Sequence, residues 1–374
     1  MQRLNEMDNI LKIKDIFIEN GCPKTVFQKL LKAYTAHVKT PFEKLTPVDF
    51  HNRLKAYITF YQNNGLTTKD FFKVLDKNPF LIFQNMTDIQ NHLTQLSELT
   101  GVSKTAILKG TLRYGQLLSF QPTKLASNLT RQAELLQVDK DKYIEVVMRL
   151  YPQMASLLPQ TICQNVENIS KILDIEPRDF ITAGMKQPQL FARNPQSLTE
   201  NMLKTCQLLN VMPHELTTAY LKQPTLFYLL PEYLNKNVTQ TAHLFGCSKS
   251  DVVRSGLKFP QLFYAQPSTV GKKYRFYRQM FKHGLIRLTN EENTPENIQK
   301  YLLKNALAIM LGMDNLHLRC AYGRYLKQYT GAVDTTPLSK PKYKIIKALQ
   351  NAPKLFKDRN PVAMRIIRQS NEKH

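Results

Sequence analysis

The chain of 374 residues contains no tryptophan, only 13 glycines and five cysteines, and few acidic residues for its basic content. The cysteines are scattered and never occur as a C-x-x-C pair: Cys22, Cys163, Cys206, Cys247 and Cys320. This spacing argues against a disulfide framework or a zinc site and favours a reducing compartment. No apolar run approaches the roughly 20 residues that a membrane-spanning helix needs. We therefore expect a protein without a membrane partner.

Catalytic signatures are missing as well. The eight histidines form no H-E-x-x-H motif and show no metal-ligand spacing. There is no glycine-rich phosphate loop, no G-x-S-x-G elbow and no kinase signature. The sequence therefore predicts a non-enzymatic protein that uses no cofactor, metal or small-molecule substrate.

The N-terminal residues, MQRLNEMDNILKIKD, contain Glu6 and Asp8 and no long apolar core. They resemble neither a secretory signal nor an acid-poor transit peptide. We expect a bacterial cytoplasmic protein or, if the chain is imported and processed, a protein of an organelle matrix.

What the chain does contain is a repeat of 36 or 37 residues. Each copy begins at an anchor position, normally a proline followed by apolar residues, with a degenerate copy at Gly115. The anchors are Pro79, Gly115, Pro152, Pro188, Pro224 and Pro260. A second proline follows seven residues later at Pro122, Pro159, Pro195, Pro231 and Pro267, with Met86 in the first copy. A period of this length is typical of a solenoid, in which each repeat packs against its neighbours.

One copy predicts three helical elements. After Pro195, apolar residues recur at helical spacing at Leu198, Met202, Cys206 and Leu209. The helix should end near Asn210; the equivalent residues in other copies are Gly65, Gly101, Gln137, Asp174 and Gly246, which suit a left-handed cap where they are glycine. A shorter helix follows and ends before the next anchor, because proline disfavours helix in the preceding residue. The anchor segment then forms a tight apolar turn of the 3₁₀ type.

The repeat lacks the tetratricopeptide and ankyrin patterns, and it shows no regular Pumilio-type recognition triplet. In residues 246–263, GCSKSDVV runs into KFPQLF, which resembles the mTERF (mitochondrial transcription termination factor) family, whose repeats carry a proline followed by Leu-Leu or Leu-Phe. The resemblance covers residues 61–270, with a weaker copy at Asn351–Phe356. It implies a right- or left-handed α-solenoid of mTERF-like helix–helix–short-helix repeats that binds nucleic acid in organelles.

Three regions follow from the repeat pattern. We predict a divergent N-terminal repeat or cap over residues 1–60, the repeat array over 61–270, and a basic helical C-terminal region with a final degenerate repeat over 271–374.

The formal net charge is +23. Residues 269–374 carry 21 Lys and Arg against 7 Asp and Glu, so +14 of the excess lies there. A basic surplus of this size indicates a polyanionic partner, with nucleic acid the first candidate.

One cation recurs near the end of each short helix, normally two residues before the anchor. These six residues, the repeat cations, are Lys77, Arg113, Arg149, Lys186, Lys222 and Lys258. They are expected to contact phosphates. The alternative is that they only stabilise the helix macrodipole, by about 0.3–1 kcal/mol each.

A second basic cluster falls within one predicted helix. Its members are Lys272, Lys273, Arg275, Arg278 and Lys282, interleaved with Tyr274, Phe276 and Tyr277. Cations beside aromatic rings suit phosphate contact with stacking on an exposed base. The alternative is a solvated helix face whose aromatic rings belong to the core.

An asparagine lies six residues after the second proline in four successive copies, at Asn128, Asn165, Asn201 and Asn237. A buried amide must be satisfied, so we expect these side chains to bond backbone in the neighbouring repeat.

Together these features predict a monomeric nucleic-acid-binding repeat protein. It would modulate transcription or RNA processing by holding duplex DNA or RNA in a basic groove. The alternative is a protein-interaction scaffold, such as a bacterial effector, that binds an acidic partner. The sequence does not decide between DNA and RNA.

Overall fold

The computed structural model describes residues 2–37, 46–288, 291–334 and 336–371, and every regular element in these ranges is helical. The all-α prediction is confirmed. Part of the predicted N-terminal cap, residues 38–45, lies outside the described residues, and the predicted boundaries at 60 and 270 stay predictions.

The chain divides into two compact units, Met1–Leu198 and Thr199–His374. Long and short helices alternate in the first unit: Gln2–Glu19, Lys24–His37, Pro47–Asn63, Thr68–Lys77, Met86–Thr100, Lys104–Thr111, Pro122–Leu135, Lys140–Leu150, Pro159–Leu173 and Pro177–Lys186. Four 3₁₀ helices lie between them: Pro79–Phe83, Leu117–Ser119, Pro152–Ser156 and Pro188–Ala192. Helix Pro195–Leu209 begins in this unit and continues into the second.

The second unit begins with the same alternation: Pro213–Lys222, Pro224–Tyr228, Pro231–Phe245, Lys249–Lys258, Pro260–Phe263 and Pro267–Lys282. The remaining helices are Pro295–Lys304, Ala306–Met310, Met313–Tyr329, Thr336–Ser339, Lys342–Gln350, Lys354–Asp358 and Pro361–Asn371. A small core that includes Leu318, Tyr322 and Phe356 is surrounded by Met313–Tyr329, Lys342–Gln350, Lys354–Asp358 and Pro361–Asn371.

Proline sets the helix starts as predicted. All five second prolines are the first residues of long helices, and all five anchor prolines are the first residues of 3₁₀ helices. Proline suits the first turn because the N–H that it lacks would have no intrahelical partner there. Side-chain caps begin several short helices, as where Ser248 accepts a hydrogen bond from the backbone N–H of Asp251.

The long helices end at left-handed residues, as predicted for the glycine copies and also where the residue is not glycine. Gly65, Gly101, Gln137, Asp174, Asn210 and Gly246 all have positive φ. The next residue usually donates its backbone N–H to the carbonyl five positions earlier, which defines a Schellman cap. This bond is made by Cys22, Leu66, Val138, Ile175, Val211, Cys247 and Leu285. Cys22 and Leu285 lie outside the sequence period, so the same ending extends beyond the array that the sequence predicts.

The asparagine prediction is confirmed at three of four positions. Asn128 donates to the carbonyl of Ala155 at 3.0 Å, and Asn165 donates to that of Phe191 at 2.9 Å. Asn237 makes the equivalent bond to the carbonyl of Phe263 at 3.4 Å. Asn201 is exposed, and its bond stays a prediction. The amides tie each long helix to the 3₁₀ turn that opens the next copy.

A second tie lies one turn further along the long helix. Ten residues after the first proline of the helix, Gln132 donates to the carbonyl of Met154 at 2.9 Å. Tyr57 and Tyr277 occupy the same position in their helices and donate to the carbonyls of Leu81, at 2.7 Å, and Ala308, at 2.9 Å. The sequence analysis did not find this tie, because the residue type changes while the position does not.

Close packing joins the short helix to the turn that follows it. A Cβ atom on Gly184 would lie 2.2 Å from Cζ of Phe191, and one on Gly256 would lie 2.6 Å from the ring of Phe263. Both rings are fully buried. Glycine is required at these two positions because the phenylalanine ring lies directly against the helix backbone.

Candidate functional site

All six repeat cations are exposed. Lys77, Lys186, Lys222 and Lys258 are each the last residue of a short helix, and Arg149 is the second-last residue of its helix. Arg113 follows the helix Lys104–Thr111, which ends four residues before Gly115, the residue at the anchor position. The sequence prediction that these residues stand near the ends of short helices is confirmed; what they contact stays a prediction.

The backbone beyond each cation has the same conformation in five copies. The residue before the anchor proline has φ between −150° and −125° and ψ between 66° and 81°; these residues are Asn78, Tyr151, Gln187, Gln223 and Phe259. Proline disfavours the helical region for its predecessor, which explains the uniform break. The last residue of each of these five short helices is therefore followed by the same backbone conformation.

The charges on the short helices are separated by position. An acidic residue lies in the first turn of five of them: Asp70, Asp141, Asp179, Glu215 and Asp251. A basic residue lies in the last turn of the same helices. The ends of a ten-residue helix are roughly 13 Å apart. This arrangement suits the macrodipole, and it separates the acid of the first turn from the cation of the last turn.

Within the part of the chain that the structure describes, Lys77 is the one repeat cation that hydrogen-bonds to the protein. The Lys77 ammonium donates to the carbonyls of Leu112, at 2.5 Å, and Arg113, at 3.3 Å, and so caps the end of the next short helix. Within the described ranges the other five make no such bond, and none of the six is ion-paired. Their charges are therefore available to an external anion.

In helix Pro267–Lys282, four of the five predicted cations are exposed: Lys272, Arg275, Arg278 and Lys282. Lys273 is only 8% exposed, and burial lowers the pKa of its ammonium. It lies six residues after Pro267, the position from which, in other copies, Asn128, Asn165 and Asn237 bond backbone carbonyls. The helical register thus turns Lys273 inward and removes it from the basic surface.

The aromatic rings of the same helix lie inside the protein. Tyr277 is fully buried, and Tyr274 stacks on Phe245 with ring centroids 4.1 Å apart. Phe276 is half-buried and meets His317 edge-on. For Tyr274 and Tyr277 the core interpretation is therefore correct, and these rings do not offer a stacking surface for bases.

The structure adds cations that sequence reasoning missed. Arg254, Lys300 and Lys304 line one cleft with Lys258, and Asp251 and Glu296 also line it. Lys304 ends its helix two residues before Ala306, where a short helix begins, just as Lys258 stands two residues before Pro260. The repeat period hid Lys304, because the connection after Pro267–Lys282 is longer and alanine replaces the anchor proline.

The residues before the anchors are partly structural. Asn78 is buried and donates to the carbonyl of Gly115 at 3.1 Å and to the hydroxyl of Ser119 at 3.2 Å. Gln223 donates to the hydroxyl of Thr225 at 3.3 Å. These side chains hold the turn, and we do not include them in the candidate surface.

The described residues carry no sign of an activated nucleophile. All five cysteines are free thiols, and burial raises the pKa of each, that of Cys22 to about 12 with the help of Asp76. No group of three or more His, Cys, Asp or Glu side chains in the described ranges is placed to hold a metal. Among the helices described, none combines the length and apolar character that crossing a bilayer requires.

No protein-family model matches the chain, and no curated protein matches it. The functional assignment therefore depends on the geometry and the charge of the residues described above.

Proposed function

We propose that the chain is a non-catalytic nucleic-acid-binding repeat protein that resembles the mTERF family. Its helices would stack as an α-solenoid, and its exposed cations would bind the phosphate backbone of DNA or RNA. The observation that carries the proposal is a set of exposed cations at or just after the ends of short helices that make no ion pair within the described ranges: Arg113, Arg149, Lys186, Lys222 and Lys258. The bound protein would then modulate transcription or RNA processing by occupying its site on the nucleic acid.

The recurring ties support the solenoid part of the proposal. Each donor stands at a fixed position in its long helix and bonds a carbonyl of the following copy. Asparagine amides donate from six residues after the first proline of the helix, and Tyr57, Gln132 and Tyr277 donate from ten residues after it. Successive units in a solenoid contact mainly their neighbours, so identical contacts at a fixed period are what such a stack requires. Packed helices lie about 8–10 Å apart, which sets the expected distance between successive cations.

The charge distribution supports the phosphate part. A duplex carries about one charge per 1.7 Å of axis, so cations about 10 Å apart meet phosphates repeatedly along its length. The acids of the short helices stand at the ends opposite the cations, although Asp251 and Glu296 balance part of the charge around Lys258. The macrodipole explains why a cation is tolerated at these positions, but it does not require that the cation lack an ion-pair partner.

The proposal is tested by fluorescence anisotropy with labelled duplex DNA, single-stranded DNA and RNA across a salt series. The variant carries Lys186→Ala, Lys222→Ala and Lys258→Ala. The matched control carries Lys124→Ala, Lys171→Ala and Lys236→Ala, three exposed lysines of the long helices. If the three repeat cations each meet one duplex phosphate, the slope of log K against log salt becomes shallower by about 2.7 in the variant. The control should change the slope by less.

One observation favours the second candidate, a protein-interaction scaffold. The first unit contains a cleft of about 1010 Å³ lined by apolar Val138, Val166 and Met185, with both Glu167 and Arg178 at its sides. Mixed charge around an apolar floor suits a peptide or a helix better than it suits a phosphate backbone. Failure to bind any of the three polymers at low salt would reject the nucleic-acid proposal and leave the scaffold.

A further inference from the structure

A cleft of about 480 Å³ lies beside helix Pro267–Lys282 in the second unit. Three of its lining residues are cations of that helix, Arg275, Arg278 and Lys282. The opposite wall is formed by Asn293, Pro295 and Ile298, at the start of helix Pro295–Lys304. The cleft is distinct from the surface of the repeat cations, none of which lines it.

The three cations share one helix face, since they are spaced three and four residues apart. No carboxylate of the described chain lines the cleft, and none of the three cations is ion-paired within the described ranges. Like charges at this spacing destabilise a helix by a few tenths of a kcal/mol per pair. A bound anion would remove this repulsion.

The second wall of the cleft is the N-terminal end of a helix. Pro295 begins a helix of ten residues, and the hydroxyl of Thr294 caps it by accepting from the N–H of Asn297 at 3.2 Å. The N-terminal end of a helix carries about half a positive charge. Glu296, in the first turn, lines the separate cleft around Lys258 and not this one.

The contrast with that neighbouring cleft favours an anionic ligand. The cleft around Lys258 has four cations but also Asp251 and Glu296, so its charge is partly balanced by the protein. The cleft at Arg275 has three cations and no acid. Guanidinium groups present paired donors that match the oxygens of a phosphate. A volume of about 480 Å³ lies within the range of small-ligand sites and accommodates a phosphate with an attached sugar.

We propose that the cleft formed by Arg275, Arg278, Lys282 and the start of helix Pro295–Lys304 is a phosphate-binding site. Within the proposed nucleic-acid function, on which this inference rests, it binds a phosphate group of the polymer. A terminal phosphate carries close to two charges near neutral pH, whereas an internal phosphodiester carries one. Three unbalanced cations at one point match the terminal group better, so the site would hold the phosphorylated end of a strand.

The first test measures binding of inorganic phosphate to the intact chain and requires no polymer. Thermal unfolding is followed in sodium phosphate and in sodium chloride at equal ionic strength. Phosphate should raise the Tm by about 2 °C, because a ligand that binds only the folded state stabilises it. The double variant Arg275→Gln/Arg278→Gln should lose this shift, while the matched variant Lys171→Gln/Lys236→Gln should keep it. Circular dichroism checks that each variant is folded.

The second test distinguishes the two sources of phosphate. The same proteins are titrated with a single-stranded oligonucleotide that carries either a 5′-phosphate or a 5′-hydroxyl group. A terminal site predicts about tenfold tighter binding of the phosphorylated strand, a preference that disappears in the Arg275→Gln/Arg278→Gln variant. Equal binding of both strands, with about tenfold weaker binding by the cleft variant than by the matched control, would assign the site to an internal phosphate.

The outcomes separate this inference from the proposed function. If phosphate does not raise the Tm and the cleft variant binds both strands like the matched control, the cleft is not a phosphate site, even though polymer binding persists. If no polymer binds but the phosphate-dependent Tm shift is present and is lost in the cleft variant, the site stands and the nucleic-acid function fails.

Discussion

The repeats between Pro79 and Phe263 and the region after Pro267 use the same local devices with different residues. In the repeats, proline begins the turn and asparagine bonds the long helix to it, and the left-handed residues that end long helices are Gln137, Asp174 and Asn210 as well as Gly101 and Gly246. After Pro267, alanine begins the turn, lysine occupies the asparagine position, and glycine is the left-handed residue.

The comparison shows that position matters more than residue identity in this chain. Tyr277 and Gln132 both lie ten residues after the first proline of their helices. From this position Tyr277 donates to the carbonyl of Ala308 and Gln132 to that of Met154. A hydroxyl and an amide both satisfy a buried carbonyl, so the tie survives the change of side chain. The period disappears from the sequence while the contact is kept.

The largest expected effect comes from a methyl group at a repeat glycine. Gly184→Ala should lower the free energy of unfolding by about 3 kcal/mol, because the new Cβ would lie 2.2 Å from the buried ring of Phe191. In the C-terminal region, Gly312→Ala meets no atom within 4 Å and should cost less than about 1 kcal/mol. Urea unfolding of both variants checks the difference. Equal losses of stability in the two variants would mean that the ring of Phe191 moves away from the new methyl group at little energetic cost.

The shared tie should be stronger in the repeats than after Pro267. Gln132 donates to the carbonyls of Met154 and Leu157 and accepts from the hydroxyl of Tyr143, each at 2.9 Å. Gln132→Met should therefore cost about 2–3 kcal/mol, since it removes three hydrogen bonds of about 1 kcal/mol each.

Tyr277→Phe, which removes one such bond, should cost about 1 kcal/mol. Tyr343→Phe is the control, because that side chain is 67% exposed and should change stability very little. The same urea titrations measure all three variants. A larger loss of stability for Tyr277→Phe than for Gln132→Met would contradict the prediction that the hydrogen bonds at this position are stronger in the repeats.

Restoring the repeat residue at the lysine position should stabilise the protein. Lys273→Asn removes a largely buried ammonium and should raise the free energy of unfolding by about 1 kcal/mol at neutral pH. Burial lowers the pKa of Lys273 in the folded state, so the unfolded state binds more protons and the wild-type chain gains stability as pH rises toward the ordinary value of 10.5.

The advantage of Lys273→Asn should therefore shrink between neutral pH and about pH 10. Unfolding titrations at several pH values measure it, with Lys272→Asn, an exposed neighbour, as the control. An advantage that grows with pH would show that the ammonium is not the destabilising group.

The smallest effect concerns the left-handed helix ends. Gln137 has φ of 53°, a conformation that the C-terminal region assigns to Gly284 and Gly331. Gln137→Gly should raise stability by about 0.5 kcal/mol, because glycine adopts this conformation without the Cβ clash and the gain exceeds its entropic cost. Gln207→Gly, inside the helix Pro195–Leu209, is the control and should lose about 1 kcal/mol. Thermal unfolding of both variants distinguishes the expected gain in stability from the expected loss.

Much of the local structure was predictable. Pro122 and Pro195 stand where the sequence predicts helix starts, and Pro79 and Pro260 begin the predicted 3₁₀ turns. Such signals depend on the backbone chemistry of a few neighbouring residues, and the same neighbours are present in the unfolded chain. The same signals explain why Lys77, Lys186, Lys222 and Lys258 are the last residues of their helices, each of which ends before an anchor proline.

By itself, the sequence determined the all-helical class, the helix starts and ends, and the spacing of the repeat cations, because each depends on residues close together in the chain. Only the tertiary structure decided that Lys273 is buried, that Lys304 joins Lys258 at one cleft, and that Arg275, Arg278 and Lys282 face the start of helix Pro295–Lys304. These facts depend on which face of a helix meets its neighbour after a connection of irregular length. Packing selects that face by burying the most apolar side chains, and a basic residue at the wrong register is buried with them.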